Sequence, residues 1–288
     1  MEWERAKSFL LLFFVLLNLV LGVLLFMENR RYIVTPEREQ TILAVMERNN
    51  ITFDAQFIRQ FPPMRAISVT GFYYNVYELA EIFFENPQNA ERHNTPHGLI
   101  LTYGPAELVI AHGFISYYNP DGHGNTANDL ISLDPYDAQL LTDAFVHAHW
   151  PDFSLDDIFV AEGWLRLSYR QVYRGYIIHT NFIELIVTDM GIEQVDMQFG
   201  RVIEWYGQES PIAAPDEVLL TFVQRVRSIA QVSPITITHM DLVYFQEEEG
   251  SANPYASYRV LPFYRVFIGG DGSSDPFLIN AFTNEIID

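Results

Sequence analysis

A chain of 288 residues with 37 acidic and 17 basic side chains, a net charge of −20 and no cysteine closes off several functions at once. Nucleic-acid binding rewards basic patches, so this balance argues against it; without cysteine there are no disulfides, thiol nucleophiles or thiolate metal sites. The sole lysine is Lys7, which leaves lysine-based catalysis no place in the remainder.

Residues 9–27 form an uncharged apolar run. As a helix at about 1.5 Å per residue it would be about 28 Å long, close to the hydrocarbon thickness of a bilayer. The exit Met27-Glu28-Asn29-Arg30-Arg31 offers no small-residue cleavage site, so the run reads as an uncleaved anchor, with a cleaved signal as the alternative. Asn18 and Gly22 lie four residues apart, on one helix face. A polar residue beside a small one suits a helix-helix contact, and two tolerated passengers are the plainer reading. Charge leaves the orientation open, because Arg5 and Lys7 precede the run and Arg30, Arg31 and Arg38 follow it.

Beyond the anchor, Thr35-Pro36 opens a helix with apolar Ile42, Val45 and Met46, ended by Asn49-Asn50. Residues 65–70 read as a strand. Asn75 with Glu78 resembles a capping box before a helix carrying Leu79, Ile82 and Phe83. Residues 88–97 read as a polar loop, 99–103, 108–111 and 114–118 as a meander, and 119–128 as another loop. Asp134-Pro135 starts a helix whose Leu141, Ala144, Phe145 and Ala148 are expected to face a core, stopped by Trp150-Pro151. Residues 158–201 are strand-rich, with turns at Arg174-Gly175 and Met190-Gly191. Pro215 starts a helix with a stripe of Val218, Leu219, Phe222, Val223, Val226 and Ile229. Three strands at 235–245, 258–268 and 277–282 close the chain. Helices followed by antiparallel strands predict an α+β fold, with an anchor at 1–31, a first α+β domain at 32–131 and a second at 132–288.

Chemistry is sparse. There is no Gly-x-Ser-x-Gly elbow, phosphate loop or dinucleotide fingerprint. Pro96 separates His93 from His97; His147 and His149 fall on different helix faces, and Asp143 with His147 reads as a solvated pair. Asp121, His123, Asn125 and Asp129 hint at a calcium loop, but Thr126 and Ser132 stand where glycine and glutamate are needed. Glu247, Glu248 and Glu249 before Gly250 read as a solvated hairpin tip. Tyr169, Tyr173, Tyr176, Tyr206, Tyr255, Tyr258 and Tyr264 fit sheet packing, with an adhesive surface as the functional alternative. No catalytic residue, metal site or cofactor is expected.

Four stretches nevertheless carry a resemblance. Met1-Glu2-Trp3-Glu4-Arg5-Ala6-Lys7 runs straight into the apolar span. Tyr169-Arg170-Gln171-Val172-Tyr173-Arg174-Gly175-Tyr176-Ile177-Ile178 forms an aromatic-x-Gln-x-Tyr-x-Gly strand pair. Val260-Leu261-Pro262-Phe263-Tyr264-Arg265-Val266 and Leu278-Ile279-Asn280-Ala281-Phe282-Thr283-Asn284-Glu285 close the chain. In this order they resemble the YycI/YycH family, membrane-anchored regulatory proteins of the essential cell-wall two-component system of Gram-positive bacteria. Phe263-Tyr264 departs from an expected tryptophan and Asn284 from a usual glycine, and residues 88–133 match thinly. The resemblance implies a single-pass protein of the cell membrane, with a cytoplasmic N-terminus and an extracytoplasmic domain. It implies a non-catalytic regulator whose partners are a YycH-like accessory protein, the sensor histidine kinase and the lipid bilayer, with Asn18 and Gly22 as a transmembrane contact face. The competing expectation is a membrane-tethered extracytoplasmic enzyme or binding module for cell-wall polymers.

Overall fold

Capping side chains set where three of the helices begin. The computed structural model describes residues 2–71, 74–96, 98–111, 113–123, 133–229, 234–246, 257–269 and 276–287. Its helices are α1 Glu2–Arg30, α2 Pro36–Arg48, α3 Val76–Phe83, α4 Pro135–His149 and α5 Pro215–Ile229. The Arg38 N–H donates to Thr35 Oγ1 at 3.4 Å, the Tyr77 N–H to Asn75 Oδ1 at 3.1 Å, and the Tyr136 N–H to Asp134 Oδ1 at 2.9 Å. Each satisfies a donor that the first helical turn would leave orphaned. The Asn75 amide also donates to Glu78 Oε1 at 3.0 Å, which tightens the capping-box pair. In α5, Asp216 and Glu217 occupy the first turn, where the helix dipole favours them. Arg38 forks onto Asp216 through two bonds of 2.8 Å and ties α2 to α5.

The first strands are β1 Ile51–Phe53, β2 Met64–Gly71, β3 Glu91–Thr95, β4 Gly98–Tyr103, β5 Ala106–Ala111 and β6 Phe114–His123. After α4 come β7 Phe153–Ala161, β8 Trp164–Tyr173, β9 Tyr176–Thr188, β10 Gly191–Gln198 and β11 Gly200–Ser210. After α5 come β12 Ile235–Phe245, β13 Ser257–Gly269, β14 Phe277–Asn280 and β15 Ile286–Ile287. They order as β11-β2-β13-β12-β9-β10-β6-β5-β4-β3, with β8 and then β7 on the other edge of β9. β1 and β9 lie parallel to β12; the other pairings are antiparallel. The fold is α+β, as expected.

Two hydrophobic cores form. Core one packs α2 and α5 against the sheet and draws on Val34–Val69 and then Ile178–Ala281. Core two packs α3 and α4 and draws on Tyr74–Phe199. The cores interleave along the chain, whereas the expected domains were consecutive; the boundary expected at 131/132 falls in 124–132, outside the described residues.

Strand β9 belongs to both cores. Its Ile177 and Ile178 pair with β12, while 182–188 pair with β10. On β8 the register jumps at the same place: Gln171 faces Ile178, but Arg170 faces Phe182, leaving residues 179–181 without a β8 partner. Such a bulge bends a strand and re-aims its side chains. The β8–β9 turn has Arg174 at φ 51° and Gly175 at φ 86°, the two left-handed residues of a type I′ hairpin, which glycine occupies without strain.

Several expectations change. Residues 91–95 are a strand rather than loop; all five side chains are exposed, so no apolar alternation betrays an edge strand lined with charge. β6 runs on to His123 through the expected loop, because it pairs with β10 up to Ile192; residues 124–128 lie outside the described ones. On α4 the buried residues are Ala138, Thr142 and Val146. Leu141 and Phe145 are only half-buried, and Ala144 and Ala148 face outward, so the core face is rotated from the expected one.

Candidate functional site

In α1 the stretch Ala6–Leu24 has a mean hydropathy of 2.4 and none of it is buried. It is long and apolar enough to cross a membrane, compatible with an anchor. The Asn18 amide donates to the Phe14 carbonyl at 2.8 Å, within its own helix. A Cβ at Gly22 would meet nothing within 4 Å, so the chain's own fold makes no demand for glycine there.

The polar residues that the sequence suggested for metals serve other ends. His147 Nδ1 bonds the Asp143 carbonyl at 2.9 Å, while Asp143 Oδ1 accepts the Tyr169 hydroxyl at 2.8 Å. His149 packs edge-on against Phe145 and Trp150. His93 lies 3.7 Å from Glu91 on exposed β3. His97, Asn125, Asp129 and Glu247–Glu249 lie outside the described residues. Among the described residues no group of three His, Asp or Glu could hold a metal ion. Tyr169 and Tyr264 are fully buried, Tyr173, Tyr176 and Tyr258 pack partly into core one and Tyr206 is exposed; Tyr255 lies outside the described residues.

Polar chemistry concentrates instead where the cores meet. Arg265 on β13 is 2 % exposed. Its guanidinium makes four bonds of 2.6–2.9 Å, two to Asp156 on β7 and two to Asp241 on β12. Burial opposes charge on both Arg265 and Asp156. Bonds to Asp241 and then Asp156 overcome it for Arg265, holding it above the usual arginine value, and the bonds to Arg265 hold Asp156 below the carboxylate range. His179, on the β9 bulge, places Nδ1 3.3 Å from Arg265 Nη1. Nδ1 must accept there, because a guanidinium only donates. Burial first, then Arg170 and Arg265, push the His179 pKa down to about 3. Arg170 on β8 adds contacts of 3.7 Å to Asp156 and 3.4 Å to Glu184.

Asn181, the last residue of the bulge and fully buried, works towards the other side. Its amide donates to Gln171 Oε1 at 2.6 Å and to the Gly200 carbonyl at 3.1 Å. Its oxygen accepts the Gly200 N–H at 3.2 Å and the Tyr258 hydroxyl at 3.3 Å. A Cβ at Gly200 would strike the Val69 side chain and come within 2.6 Å of the Thr70 carbonyl, so only glycine permits this approach. Gln171 and Gly200 also line a cleft of about 610 Å³, along with Trp150, Tyr173, Arg174 and Arg201. A second cavity of about 380 Å³, lined by Arg65, Trp205, Glu209 and Tyr244, shares Arg174 with the first.

The sequence drew attention to the Arg174-Gly175 turn but not to the arginine's setting, nor to Asp156, Arg170, His179, Asp241 and Arg265 as a group. Arg265 and Asp156 are 109 positions apart and Arg265 and Asp241 are 24 apart. A basic residue in a strongly apolar strand, Phe263-Tyr264-Arg265-Val266, was the one available signal, since a buried charge demands partners.

No protein-family model and no curated protein matches the chain. Among solved structures, the crystal structure of an uncharacterized protein from Eubacterium rectale aligns at a TM-score of 0.54 with 12 % identity, covering 83 % of this chain and 89 % of that one. The Bacillus megaterium YpeB C-terminal domain aligns at 0.41 with 9 % identity, covering 75 % and 96 %. The resemblance to the YycI/YycH family thus rests on the quoted motifs alone, and what this chain shares with the Eubacterium rectale protein is its fold.

Proposed function

We propose that the chain is a membrane-anchored, non-catalytic regulator of a sensor histidine kinase in a cell-wall-controlling two-component system, working with a YycH-like accessory protein. The observation that carries this reading is α1. Its stretch Ala6–Leu24 is apolar and uncovered, with Asn18 and Gly22 on one face: Asn18 bonds within its own helix, and a Cβ at Gly22 would meet nothing. The motif resemblance supplies the partner, and the helix supplies a surface for it. On this reading the N-terminus is cytoplasmic and the α+β part extracytoplasmic. A chain acting this way changes kinase activity only by binding one kinase state better than another.

The test is autophosphorylation of the cognate kinase in proteoliposomes, alone, with the full chain, and with a chain carrying Asn18→Leu and Gly22→Leu. The full chain is expected to shift the rate and the double variant to lose most of that shift while still inserting. Equal shifts from both chains would move the contact away from α1. No shift from either, with the accessory protein present, would overturn the reading.

A further inference from the structure

We propose that the two-chambered cleft where the cores meet binds an acidic sugar, with Arg174 and Arg201 holding its carboxylate or phosphate. The inference rests on the cleft and stands apart from the kinase reading.

Charge is the first argument. In a chain with 37 acidic side chains, Arg174 and Arg201 line one cavity, and among the described residues neither has a carboxylate within ion-pair distance. The Arg174 guanidinium instead lies 5.6 Å from the Tyr173 ring centre and 5.7 Å from that of Trp205. Aromatic faces hold the cation in place without neutralising it, which leaves its donors for an anion. Arg65 in the second chamber gives Nη2 to Glu209 at 3.2 Å, but its buried Nε has no partner among the described residues. An unmet buried donor beside a cavity is a place a ligand oxygen can satisfy.

The second argument is preorganisation. Arg174 sits at φ 51° in a turn position that favours Asn, Asp or Gly. An arginine there spends backbone energy to present its side chain. Behind it, Asn181 pins Gln171 on β8 to Gly200 on β11, so one wall of the cleft is fixed before any ligand arrives. A pre-formed site at a boundary between structural units is where ligands preferentially bind.

The third argument is the lining. Trp150 offers a ring, while Gln171 and Asp152 offer hydrogen-bonding groups. Apolar plates beside a few amide and acid groups suit a hydroxyl-bearing ring, and the guanidinium forks suit a carboxylate or phosphate attached to it.

The experiment titrates the full-length chain in detergent micelles, following tryptophan fluorescence and heat of binding. N-acetylmuramic acid presents the carboxylate, N-acetylglucosamine 1-phosphate the phosphate, and N-acetylglucosamine is the neutral control. At least one acidic sugar is expected to bind about tenfold or more tightly than the neutral one, and which one binds identifies the acid. Arg201→Gln and Arg174→Asn are each expected to weaken the acid about tenfold or more and to leave the neutral sugar unchanged. Asn suits the left-handed turn, so Arg174→Asn keeps the hairpin. Arg59→Gln, outside the cleft, is expected to change nothing. Equal binding of all three sugars, binding unaffected by either cleft variant, or no binding of either acid at millimolar concentration would overturn the proposal.

Discussion

Core one and core two hold similar apolar residues under similar helix pairs, but they gather them from different distances. Core two takes everything from Tyr74–Phe199, largely through hairpins such as β4–β5, β5–β6 and β9–β10. Core one joins Val34–Val69 to Ile178–Ala281, with β2 set between β11 and β13. A hairpin closes a short loop at little entropic cost, while a pairing across most of the chain forms only after much else is in place. Core two is thus locally specified and core one globally specified, and the Arg265 cluster and β9 are what make them one body.

The harshest way to break that union is Arg265→Met. It takes from Asp156 and Asp241 the cation they share, leaving Asp156 the looser contact with Arg170 at 3.7 Å, and removing one partner of a buried ion network costs about 3–5 kcal/mol. Urea unfolding of the detergent-solubilised chain is expected to show a loss of that size. Adding Asp156→Leu and Asp241→Leu is expected to restore most of it; if the triple variant is no better, the loss was packing rather than unpaired charge.

A finer probe compares Leu219→Ala in core one with Leu185→Ala in core two, both fully buried. Each is expected to lose about 2–5 kcal/mol. Because Ile178 on β9 lies in core one while Ile183, Leu185 and Val187 lie in core two, either change is expected to speed hydrogen exchange in both cores. Faster exchange confined to α2 and α5 in Leu219→Ala would show that the cores open separately.

The most gradual effect, smallest for each step taken, is that of pH. His179 is held neutral, with a folded pKa of about 3 against an ordinary value near 6.5. The unfolded chain therefore takes up the proton first. Stability is complete above about pH 6.5 and falls as the pH drops towards 3, by at most about 1.4 kcal/mol per pH unit from this group. Asp156, held below the carboxylate range by Arg265, adds loss of the same sign at the acid end of that window. Core two has its own acid sensitivity, because burial also lowers His123 and His149. His179→Gln is accordingly expected to flatten the slope only in part. A profile unchanged by this variant would sink the assignment of a neutral His179.

The same contrast decides what could be read from the sequence. Local signals sufficed for Thr35-Pro36, Asp134-Pro135, the Arg174-Gly175 turn and the strand at 235–245, because each is decided by neighbours in the chain. They failed for β3 and most of β11, whose exposed side chains carry no apolar alternation. On α4 the alanines misled, because Ala144 and Ala148 are small enough to lie on either face. The cleft was not legible, since it needs the β8–β9 turn beside Gly200 and Arg201, a neighbourhood made by the β9 bulge through Asn181.

The interleaving also fixes an order of events during synthesis. Core two is complete in sequence once Phe199 has emerged, and its hairpins need nothing that follows. Core one still lacks α5 and β12–β14 at that moment, so α2 and β2, which stand next to α1, wait with their apolar faces bare until the final strands arrive. Since domains tend to fold as their residues become available, the segment made first after α1 is the last to be buried. A nascent chain halted before β12 would therefore present a finished core two on an unprotected stalk, which is the form a chaperone or protease would meet.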